Sequence, residues 1–371
     1  MPNEHVKIGT PEGDLARWFG DAPRLAVQRA VAELRAGRPV RVVDQGGQAL
    51  AVAAAEMMDS AQITAWHTAT SGAVGLILPA PRLRHLGVVA NAASHVSLDR
   101  LSPAALNDLL FAVTVPTQSL PYRPADAVET AALELVKRAY LLPAAVVLPL
   151  TDSPSALVAV ERAAIENFHE SSARHLSIAA RTRVPLADSI DADFVVFRGG
   201  DGLRDQVAVI VGKPDPHKPV LTRLHSACLT GDLFASLKCD CGDQLRLAVS
   251  EIANAGGGIL LYLDQEGRGI GLLNKMRAYG LQQQGHDTLD ADAVLGYGPD
   301  ERRYEVASAM LALLGFRRIT LMTNNPTKIL ALESFGVQIA GHQRLIAHVN
   351  PHNHNYLTTK ARRAGHMLGE L

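Results

Sequence analysis

The chain has 371 residues, of which 47% are hydrophobic and 20% are charged, and its formal net charge is -1. This length allows about two domains, and the composition is that of a globular protein, which excludes a disordered or fibrous chain. The near-zero charge excludes a global attraction to nucleic acid or to an anionic membrane, so local cationic groups must meet any anionic ligand.

The first half is predicted to alternate helices and strands. Between residues 21 and 37, apolar residues recur at helical spacing and end at a glycine, which predicts a helix with one buried face. That face consists of Val27, Ala30, Val31 and Leu34. Further predicted elements are strands at 38–44 and 72–80, a helix capped by Ser102 with Pro103 at its first position, and a helix at 126–142.

The second half alternates more clearly. The predicted strands cover 206–212, 219–227, 259–264, 319–325 and 337–341, and the predicted helices cover 243–258, 272–285, 303–315 and 326–336. This pattern predicts an α/β fold class with mainly buried strands. Small polar residues interrupt the pattern at 169–175, so we expect two mixed α/β domains, at 1–172 and 173–371.

All three cysteines of the chain lie within the fourteen residues from Cys228 to Cys241, with Cys239 between them. The N-terminus carries no basic-then-apolar signal and no membrane-length apolar run follows, so we expect a cytoplasmic protein, in which clustered thiols favour metal binding over disulfides. In extended chain, Cys239 and Cys241 share a face. Three thiolates suit a catalytic zinc with an open position, whereas His225 as a fourth ligand would make the site structural. Buried cysteines without a metal are the third alternative.

Two loops are typical of anion sites. Residues 264–271 form a glycine-rich connection from a strand to a helix, in which Arg268 is free to fork onto phosphate oxygens. Residues 323–328 leave a strand and predict a helix capped by Asn325, with Pro326 at its first position and Lys328 in its first turn. A lysine there opposes the helix dipole, which makes sense if an anion sits beside it. An ordinary turn and a solvated lysine are the alternatives.

Asp300 and Arg302 follow a turn and precede a predicted helix. Their spacing allows a carboxylate and a guanidinium to converge on one site. The alternative is that Asp300 only caps the helix.

These separated motifs occur together in one family. The runs HSACLTGDLFASLKCDCGDQL, LDQEGRGIGLLNKMRAYGLQQQG, DERRY, LMTNNPTKI and YLTTKARRAGHML resemble GTP cyclohydrolase II, which opens the guanine ring to begin riboflavin synthesis. The resemblance spans about residues 174–368. It implies that Cys228, Cys239 and Cys241 hold one catalytic zinc, whose water attacks C8 of the imidazole ring. Formate and pyrophosphate would be released, and 2,5-diamino-6-(5-phosphoribosylamino)pyrimidin-4(3H)-one would remain.

The resemblance also implies roles for individual residues. Arg302 would take the α-phosphate as pyrophosphate leaves, Asp300 would accept a proton beside it, and Tyr279 would lie next to the purine. The expected GTP-binding residues are Arg223, Leu224, His225, Ser226, Ala227, Gln244, Glu266, Gly267, Arg268, Thr288, Thr323 and Lys328. We expect Mg²⁺ with the triphosphate, because the chain's net charge does not balance it. The resemblance also implies a homodimer, which is the usual oligomeric state of the family.

Two departures from known patterns stand out. Ala227 occupies a position where the family usually has glutamate, directly before the first cysteine. The N-terminal half resembles 3,4-dihydroxy-2-butanone 4-phosphate synthase, but its acidic loop is replaced by QGGQALAVAAAEMM and its Arg-Gly-His-Thr-Glu motif is missing. Alanines cannot bind magnesium or abstract protons, so we expect a degenerate, non-catalytic domain.

The sequence is therefore consistent with three functions. The first is a working GTP cyclohydrolase II. The second is a non-catalytic homologue that binds zinc and a nucleotide and regulates a partner, for which Ala227 is the only support in the sequence. The third is a cyclohydrolase-like enzyme that acts on another heterocycle.

Overall fold

The structure is a computed structural model that describes residues 20–69, 74–98, 103–113, 121–152, 154–199, 205–346, 349–363, 365 and 367. Within these residues no helix combines the length and the apolar character that a membrane crossing requires. Ser102, which we expected to cap a helix, lies outside the described residues.

The first sheet has seven strands in the order β5-β4-β3-β6-β2-β1-β7, mostly antiparallel. The strands are β1 (Val40–Val43), β2 (Ala49–Ala54), β3 (Gly75–Leu78), β4 (Ser94–Ser97), β5 (Tyr122–Pro124), β6 (Ala145–Pro149) and β7 (Ala159–Glu161). The helices around it are α1 (Ala22–Arg35), α2 (Ser60–Ala69), α3 (Ala80–His85), α4 (Pro103–Phe111), α5 (Ala127–Arg138), α6 (Arg162–Glu166) and α7 (Phe168–Arg174).

The second sheet also has seven strands, in the order β14-β13-β11-β12-β10-β9-β8. They are β8 (Ser177–Arg183), β9 (Ala192–Arg198), β10 (Gln206–Gly212), β11 (Val220–Ser226), β12 (Gly257–Leu263), β13 (Arg318–Met322) and β14 (Gln338–Gln343). The accompanying helices are α8 (Leu229–Asp232), α9 (Cys241–Asn254), α10 (Gly271–Gln283), α11 (Thr288–Val294), α12 (Glu305–Leu313), α13 (Pro326–Ser334) and α14 (His354–Arg363). Two mixed α/β sheets confirm the predicted fold class.

Helix α1 forms where the helical spacing of apolar residues predicts it. Val27, Ala30, Val31 and Leu34 are at most 2% exposed, as their spacing predicts. Asp21 caps the helix by accepting a hydrogen bond from the backbone of Arg24.

One hydrophobic core joins the two halves of the chain. It contains residues of the first sheet, such as Leu76 and Val146, together with Ile270, Ala278 and Leu295 from the second half. Burial of apolar surface stabilises by about 25 cal/mol per Å², so this shared core ties the two sheets together.

One local prediction was wrong. The small polar residues at 169–175 do not interrupt the structure, because most of them form α7, in which Phe168 and Ser172 are buried. The prediction of mainly buried strands is confirmed for the central strands β10, β11 and β12, whereas every residue of the edge strand β8 is exposed. Edge strands have only one neighbour, and a polar strand such as SIAARTR suits that position.

Candidate functional site

The parallel strands of the second sheet position the site. β11 pairs in parallel with both β12 and β13, so the carboxyl ends of all three strands lie at one edge of the sheet. The cysteine segment follows β11, the glycine-rich loop follows β12, and residues 323–328 follow β13. In open α/β sheets, ligands bind at this edge.

The three cysteines meet there. Their sulfur atoms lie within 4.8 Å of one another, and the Sγ atoms of Cys228 and Cys239 are 3.7 Å apart. Cys228 and Cys239 are buried. The expectation that Cys239 and Cys241 share a face of extended chain was wrong, because Cys241 begins α9. The turn of the chain into that helix brings the two thiols together instead.

The thiol cluster leaves no room for a larger residue at Gly231. A Cβ atom there would lie 2.9 Å from Sγ of Cys239 and 3.1 Å from Sγ of Cys228. Hydrogen bonds from the neighbouring thiols and the ammonium of Lys275 lower the pKa of Cys228. A thiolate is the form that ligates zinc, so the donor set fits this metal.

His225 is held away from the thiol cluster. Its Nε2 lies 3.1 Å from Oδ1 of Asp232, and its ring stacks on Tyr262 at 5.5 Å. The same carboxylate accepts hydrogen bonds from the backbone of Cys228 and from the hydroxyl of Tyr262, each at 2.9 Å. Asp232 thus fixes the strand end and the first cysteine together, and His225 is not part of the three-sulfur group.

The glycine-rich loop is a strained turn. Gly267 and Arg268 both have φ near +64° (63° and 64°), a region that non-glycine residues rarely adopt. Glu266 is buried and accepts hydrogen bonds from the backbone of Leu229 at 2.7 Å and from Nζ of Lys275 at 2.8 Å. The loop and the cysteine segment are therefore held together by one carboxylate.

Lys275 connects these groups to the metal-ligand candidates. Its Nζ donates to Sγ of Cys228 at 3.0 Å and to the hydroxyl of Thr230 at 3.0 Å, in addition to Glu266. Its ammonium also lies 5.5 Å from the ring centre of Tyr279, and the ammonium of Lys238 lies 4.8 Å from the same ring centre. Burial raises the pKa of Tyr279 to about 12, so its hydroxyl stays protonated.

Asp300 and Arg302 form a bidentate ion pair. Nε and Nη2 of Arg302 lie 2.8 and 2.5 Å from the two carboxylate oxygens of Asp300. Burial acts to lower the pKa of Arg302, but its hydrogen bond with Asp300 and the electrostatic interactions with Tyr304, Asp300 and Tyr356 together raise it. Asp300 does not cap the following helix, because α12 begins at Glu305.

The helix start predicted at residues 323–328 is confirmed. The side chain of Asn325 accepts from the backbone of Thr327 and caps α13, with Pro326 at the first helical position. Lys328 lies in the first turn, where it is buried and donates to the carbonyl of Leu224 at 3.1 Å. A buried ammonium at this position suits an anionic ligand better than the solvated-lysine alternative.

All of these segments line one cavity of about 420 Å³. It brings together the three cysteines, the three expected catalytic residues and most of the expected GTP-binding residues: Arg223, His225, Ser226, Ala227, Gln244, Glu266, Gly267, Arg268, Thr288, Thr323 and Lys328. Leu224 is not among the lining residues, because its side chain is 1% exposed and packs in a hydrophobic core.

Arg223 and Gln244 form part of the cavity wall. Nη1 of Arg223 donates to the carbonyl of Met322 at 3.0 Å, and Nη2 donates to Gln244 at 2.5 Å. Burial lowers the pKa of Arg223 to about 10. The guanidinium is thus held rigidly at the edge of the sheet.

Sequence reasoning missed several lining residues, which are Asp240, Lys275, Asp292, Asn324, Tyr356, Thr359 and Arg363. Arg268 pairs with the buried Asp292, and Arg363 of α14 pairs with Asp287 and Asp290. The run YLTTKARR could have indicated helix α14. The sequence could not show that α14 lies close to α11, because that contact depends on tertiary structure. Lys275 gave no signal, because a lysine in an amphipathic helix normally faces solvent.

Ala227 lies at the cavity wall beside the first cysteine. Its backbone donates to the carbonyl of Leu263 at 2.8 Å, which extends the pairing of β11 with β12. The methyl side chain of Ala227 is uncharged, so this position brings no carboxylate to the cavity. The nearest buried carboxylate of the loop, Glu266, is engaged by Lys275.

Several known proteins of one family are similar to this chain. The family description "GTP cyclohydrolase II" matches residues 177–344. A GTP cyclohydrolase-2 from Xylella fastidiosa is 42% identical over 366 residues, which cover 97% of this chain and 92% of the relative. Proteins of the same name from Azospirillum brasilense (47% over 249 residues, 65% of each chain) and Azotobacter vinelandii (54% over 168 residues, 45% of this chain and 81% of the relative) are also similar.

Similarity to solved structures is weaker. A two-domain 3,4-dihydroxy-2-butanone 4-phosphate synthase from A. baumannii aligns with 87% of this chain and 99% of its own, at a TM-score of 0.34 and 16% identity. We draw no conclusion from a similarity at this level.

Proposed function

The chain belongs to the GTP cyclohydrolase II family of riboflavin-pathway hydrolases, and on that premise we propose that it opens the guanine imidazole ring of GTP with a zinc ion held by Cys228, Cys239 and Cys241. The products would be formate, pyrophosphate and the diaminopyrimidinone ribosyl phosphate. One observation carries the proposal: a single cavity is lined by three clustered thiols, by Tyr279 and by the Asp300–Arg302 pair.

The donor set supports zinc. Three thiols within 4.8 Å of one another match the ligand number of a catalytic site, in which a fourth position is left for water. A bound zinc ion supplies a water molecule whose pKa falls towards neutrality. The chain's own contribution is to lower the pKa of Cys228, and Lys275 and the neighbouring thiols do this.

Tyr279 is proposed to orient the purine near the thiols. Its hydroxyl stays protonated at neutral pH, because burial raises its pKa to about 12. It therefore acts as a hydrogen-bond donor to the ring or to the attacking water. The ammonium groups of Lys238 and Lys275 lie 4.8 and 5.5 Å from its ring centre.

Arg302 is proposed to bind the α-phosphate. Because its pKa is raised, the guanidinium keeps its proton and donates two parallel hydrogen bonds to phosphate oxygens. Asp300 orients it and would accept the proton of a water molecule that attacks the α-phosphorus, so that the α–β phosphoanhydride bond breaks and pyrophosphate leaves. Arg268 and Lys328 would meet the rest of the triphosphate, which Mg²⁺ accompanies in this proposal.

The remaining expectations are also proposals. We assign the N-terminal half, up to residue 172, a non-catalytic role in supporting the second sheet, and we propose a cytoplasmic homodimer. Contacts between the two halves support the proposed supporting role of the N-terminal half. Arg277 pairs with Glu56 at 2.6 Å, and Nδ2 of Asn274 donates to the carbonyl of Tyr140 at 3.1 Å.

An assay of the full chain tests the function. The zinc-loaded protein is incubated with GTP and Mg²⁺, and formate, pyrophosphate and the diaminopyrimidine absorbance are measured. Formation of all three products supports the proposal. Tight nucleotide binding without formate would indicate the regulatory homologue, and formate from another base alone would indicate a different heterocyclic substrate.

A further inference from the structure

A second cavity, of about 110 Å³, lies between the two halves of the chain. The N-terminal half contributes Arg138 at the end of α5 and Phe168, His169 and Ser172 of α7. The C-terminal half contributes residues 264, 265 and 269 of the glycine-rich loop and residues 301, 303 and 305 around the start of α12. No residue of the proposed catalytic set lines it.

Two side chains bring hydrogen-bond donors without partners into this cavity. Nε and Nη1 of Arg138 are buried and have no hydrogen-bond partner within the described structure, and the same is true of the hydroxyl of Ser172. Ser172 is only 2% exposed. Arg138 is held in place, because its Nη2 donates to the carbonyl of Ile165 at 2.9 Å and its guanidinium lies 5.4 Å from the ring centre of Phe168. Unpartnered buried donors cost about 1–3 kcal/mol each, so this end of the cavity favours an acceptor.

Two other side chains bring acceptors without partners. They are Oε1 of Gln265 and Oε2 of Glu305, both buried. The amide of Gln265 is oriented by its Nε2, which donates to the carbonyl of Arg303. Among the described ion pairs none joins Glu305 to Arg138. The cavity is therefore lined by both buried donors and buried acceptors, and a ligand that satisfies both must itself accept and donate.

Cations and carboxylates both line the cavity. Burial, together with Arg138, Arg303 and Lys137, lowers the pKa of His169 to about 2. The carboxylates are those of Glu134, Asp264, Glu301 and Glu305, of which Glu134 and Glu301 pair with Lys137. The unpartnered donors of Arg138 therefore favour a negatively charged oxygen of the ligand, whereas the carboxylate of Glu305 requires a proton on the ligand atom that faces it.

We propose that this cavity is a binding site for hydrogen phosphate, whose oxygens accept from Arg138 and Ser172 while its P–OH group donates to Glu305 or Gln265. Phosphate carries such a proton near neutral pH, and sulfate does not. The site rejects sulfate because an oxyanion without a proton leaves a buried acceptor unpaired, and a site built around a ligand hydroxyl discriminates strongly on that basis. The small volume suits the free ion better than a phosphate monoester.

The same two chain segments also line the proposed catalytic cavity. Residues 266–268 and Asp300 and Arg302 face that cavity, whereas residues on either side of them face the phosphate site. Occupancy of the phosphate site therefore constrains the segments that carry Arg268 and Arg302. This coupling rests on the proposed function, but the binding site itself does not.

Calorimetric titration of the full chain with inorganic phosphate, sulfate and glycerol phosphate tests the site. We expect the wild type to bind phosphate at least about tenfold more tightly than sulfate, and to bind glycerol phosphate weakly or not at all. Arg138→Met removes the paired donor and should weaken phosphate binding at least about tenfold. Arg174→Met, on the exposed surface of α7, is the matched control and should bind as the wild type does. Phosphate held only in the catalytic cavity would respond equally to both variants.

Two further variants test the phosphate site even if Arg138→Met does not fold. Ser172→Ala removes one donor with little change of volume and should weaken phosphate binding. Glu305→Gln replaces the acceptor by an amide that can donate, and should raise the affinity for sulfate relative to phosphate. Equal affinities in the wild type, Ser172→Ala and Glu305→Gln, or the absence of saturable phosphate binding, would overturn the proposal and leave ordered water as the occupant. Because this measurement uses no GTP, its failure is independent of a failure of the cyclohydrolase assay.

Discussion

The ammonium of Lys275 lies 3.0 Å from Sγ of Cys228, and the same ammonium lies 2.8 Å from the carboxylate of Glu266. One side chain of α10 thus joins the cysteine segment to the glycine-rich loop. Outer-shell partners of this kind tune metal sites and typically change affinity or activity by about 10–100-fold when removed.

Replacing this ammonium should weaken the site without unfolding the chain. In Lys275→Met, the thiolate of Cys228 loses its cationic donor and Glu266 is left buried without its partner. We expect zinc affinity and turnover of GTP to fall by about 10–100-fold. Competition with a chelator measures the affinity. Lys218→Met, at an exposed lysine outside the cavity, is the control, and an equal loss in both variants would contradict the assigned role.

The metal itself is tested by Cys239→Ser. A serine hydroxyl is a poor zinc ligand at neutral pH, since it does not ionise as a thiol does. We expect both zinc content and formate release to be lost. Metal analysis beside the formate assay checks this, and full activity of a zinc-free variant would refute the metal centre.

Gly231 offers a steric test of the same centre. In Gly231→Ala the new methyl group would meet the sulfur atoms of Cys239 and Cys228 at 2.9 and 3.1 Å, so the thiols must move apart. We expect loss of zinc binding with secondary structure retained. Gly280→Ala is the matched control, because no atom lies within 4 Å of the added Cβ; in a helix this change should stabilise by about 0.5–1 kcal/mol. Zinc titration and circular dichroism of both variants would separate a local clash from a general effect.

Arg82 is expected to hold the two halves together. Its buried guanidinium donates to the carbonyls of Leu109 and Val294, each at 2.8 Å, and to those of Ala112 and Asp108. Arg82→Met leaves these carbonyls without their donor, and we expect the free energy of unfolding to fall by about 3 kcal/mol or more. Arg84→Met, on the exposed side of the same helix, should cost less than about 1 kcal/mol. Denaturant unfolding measures the free energy of unfolding of both variants. Equal losses in the two variants would contradict the special role of Arg82.

His169 predicts a pH dependence of stability. Its pKa in the folded chain is about 2, because burial and three nearby cations disfavour the imidazolium, whereas in the unfolded chain it titrates near 6.5. Below about pH 6.5 the unfolded state therefore binds a proton that the folded state does not, and stability falls as the pH falls. Between pH 7.5 and 5.5 the wild type should lose about 1 kcal/mol more than His169→Gln. Unfolding in phosphate-free buffer at both pH values measures this difference, and parallel losses would refute it.

The local sequence predicts much of the second sheet. The helix at 326–334 could be foreseen, because Asn325, Pro326 and a regular apolar pattern are local signals. The convergence of the cysteine, glycine-rich and 323–328 segments also follows from one rule, that parallel strands end at the same edge. Roles for individual residues could be suggested only by the resemblance.

Other features depend on tertiary structure and had no local signal. Cys241 was expected in extended chain, but it is the first residue of helix α9. Asp300 has the chemistry of a helix cap, yet its bidentate pair with Arg302 competes successfully for the carboxylate. Buried Lys275 looked like a surface lysine, since its partners, Cys228 and Glu266, come from two other segments of the chain.

The core that joins the two sheets has a consequence for synthesis of the chain. Leu76 and Val146 pack in the same cluster as Val294, Leu295 and Tyr297. The N-terminal half therefore cannot complete its interior when it leaves the ribosome, although N-terminal domains generally fold first during translation. Its apolar face can be covered only by residues that are made about 150 positions later, which takes roughly eight to thirty seconds at ordinary elongation rates. During that interval the nascent chain is a substrate for chaperones, and a premature stop before Tyr297 leaves both halves without a finished interior.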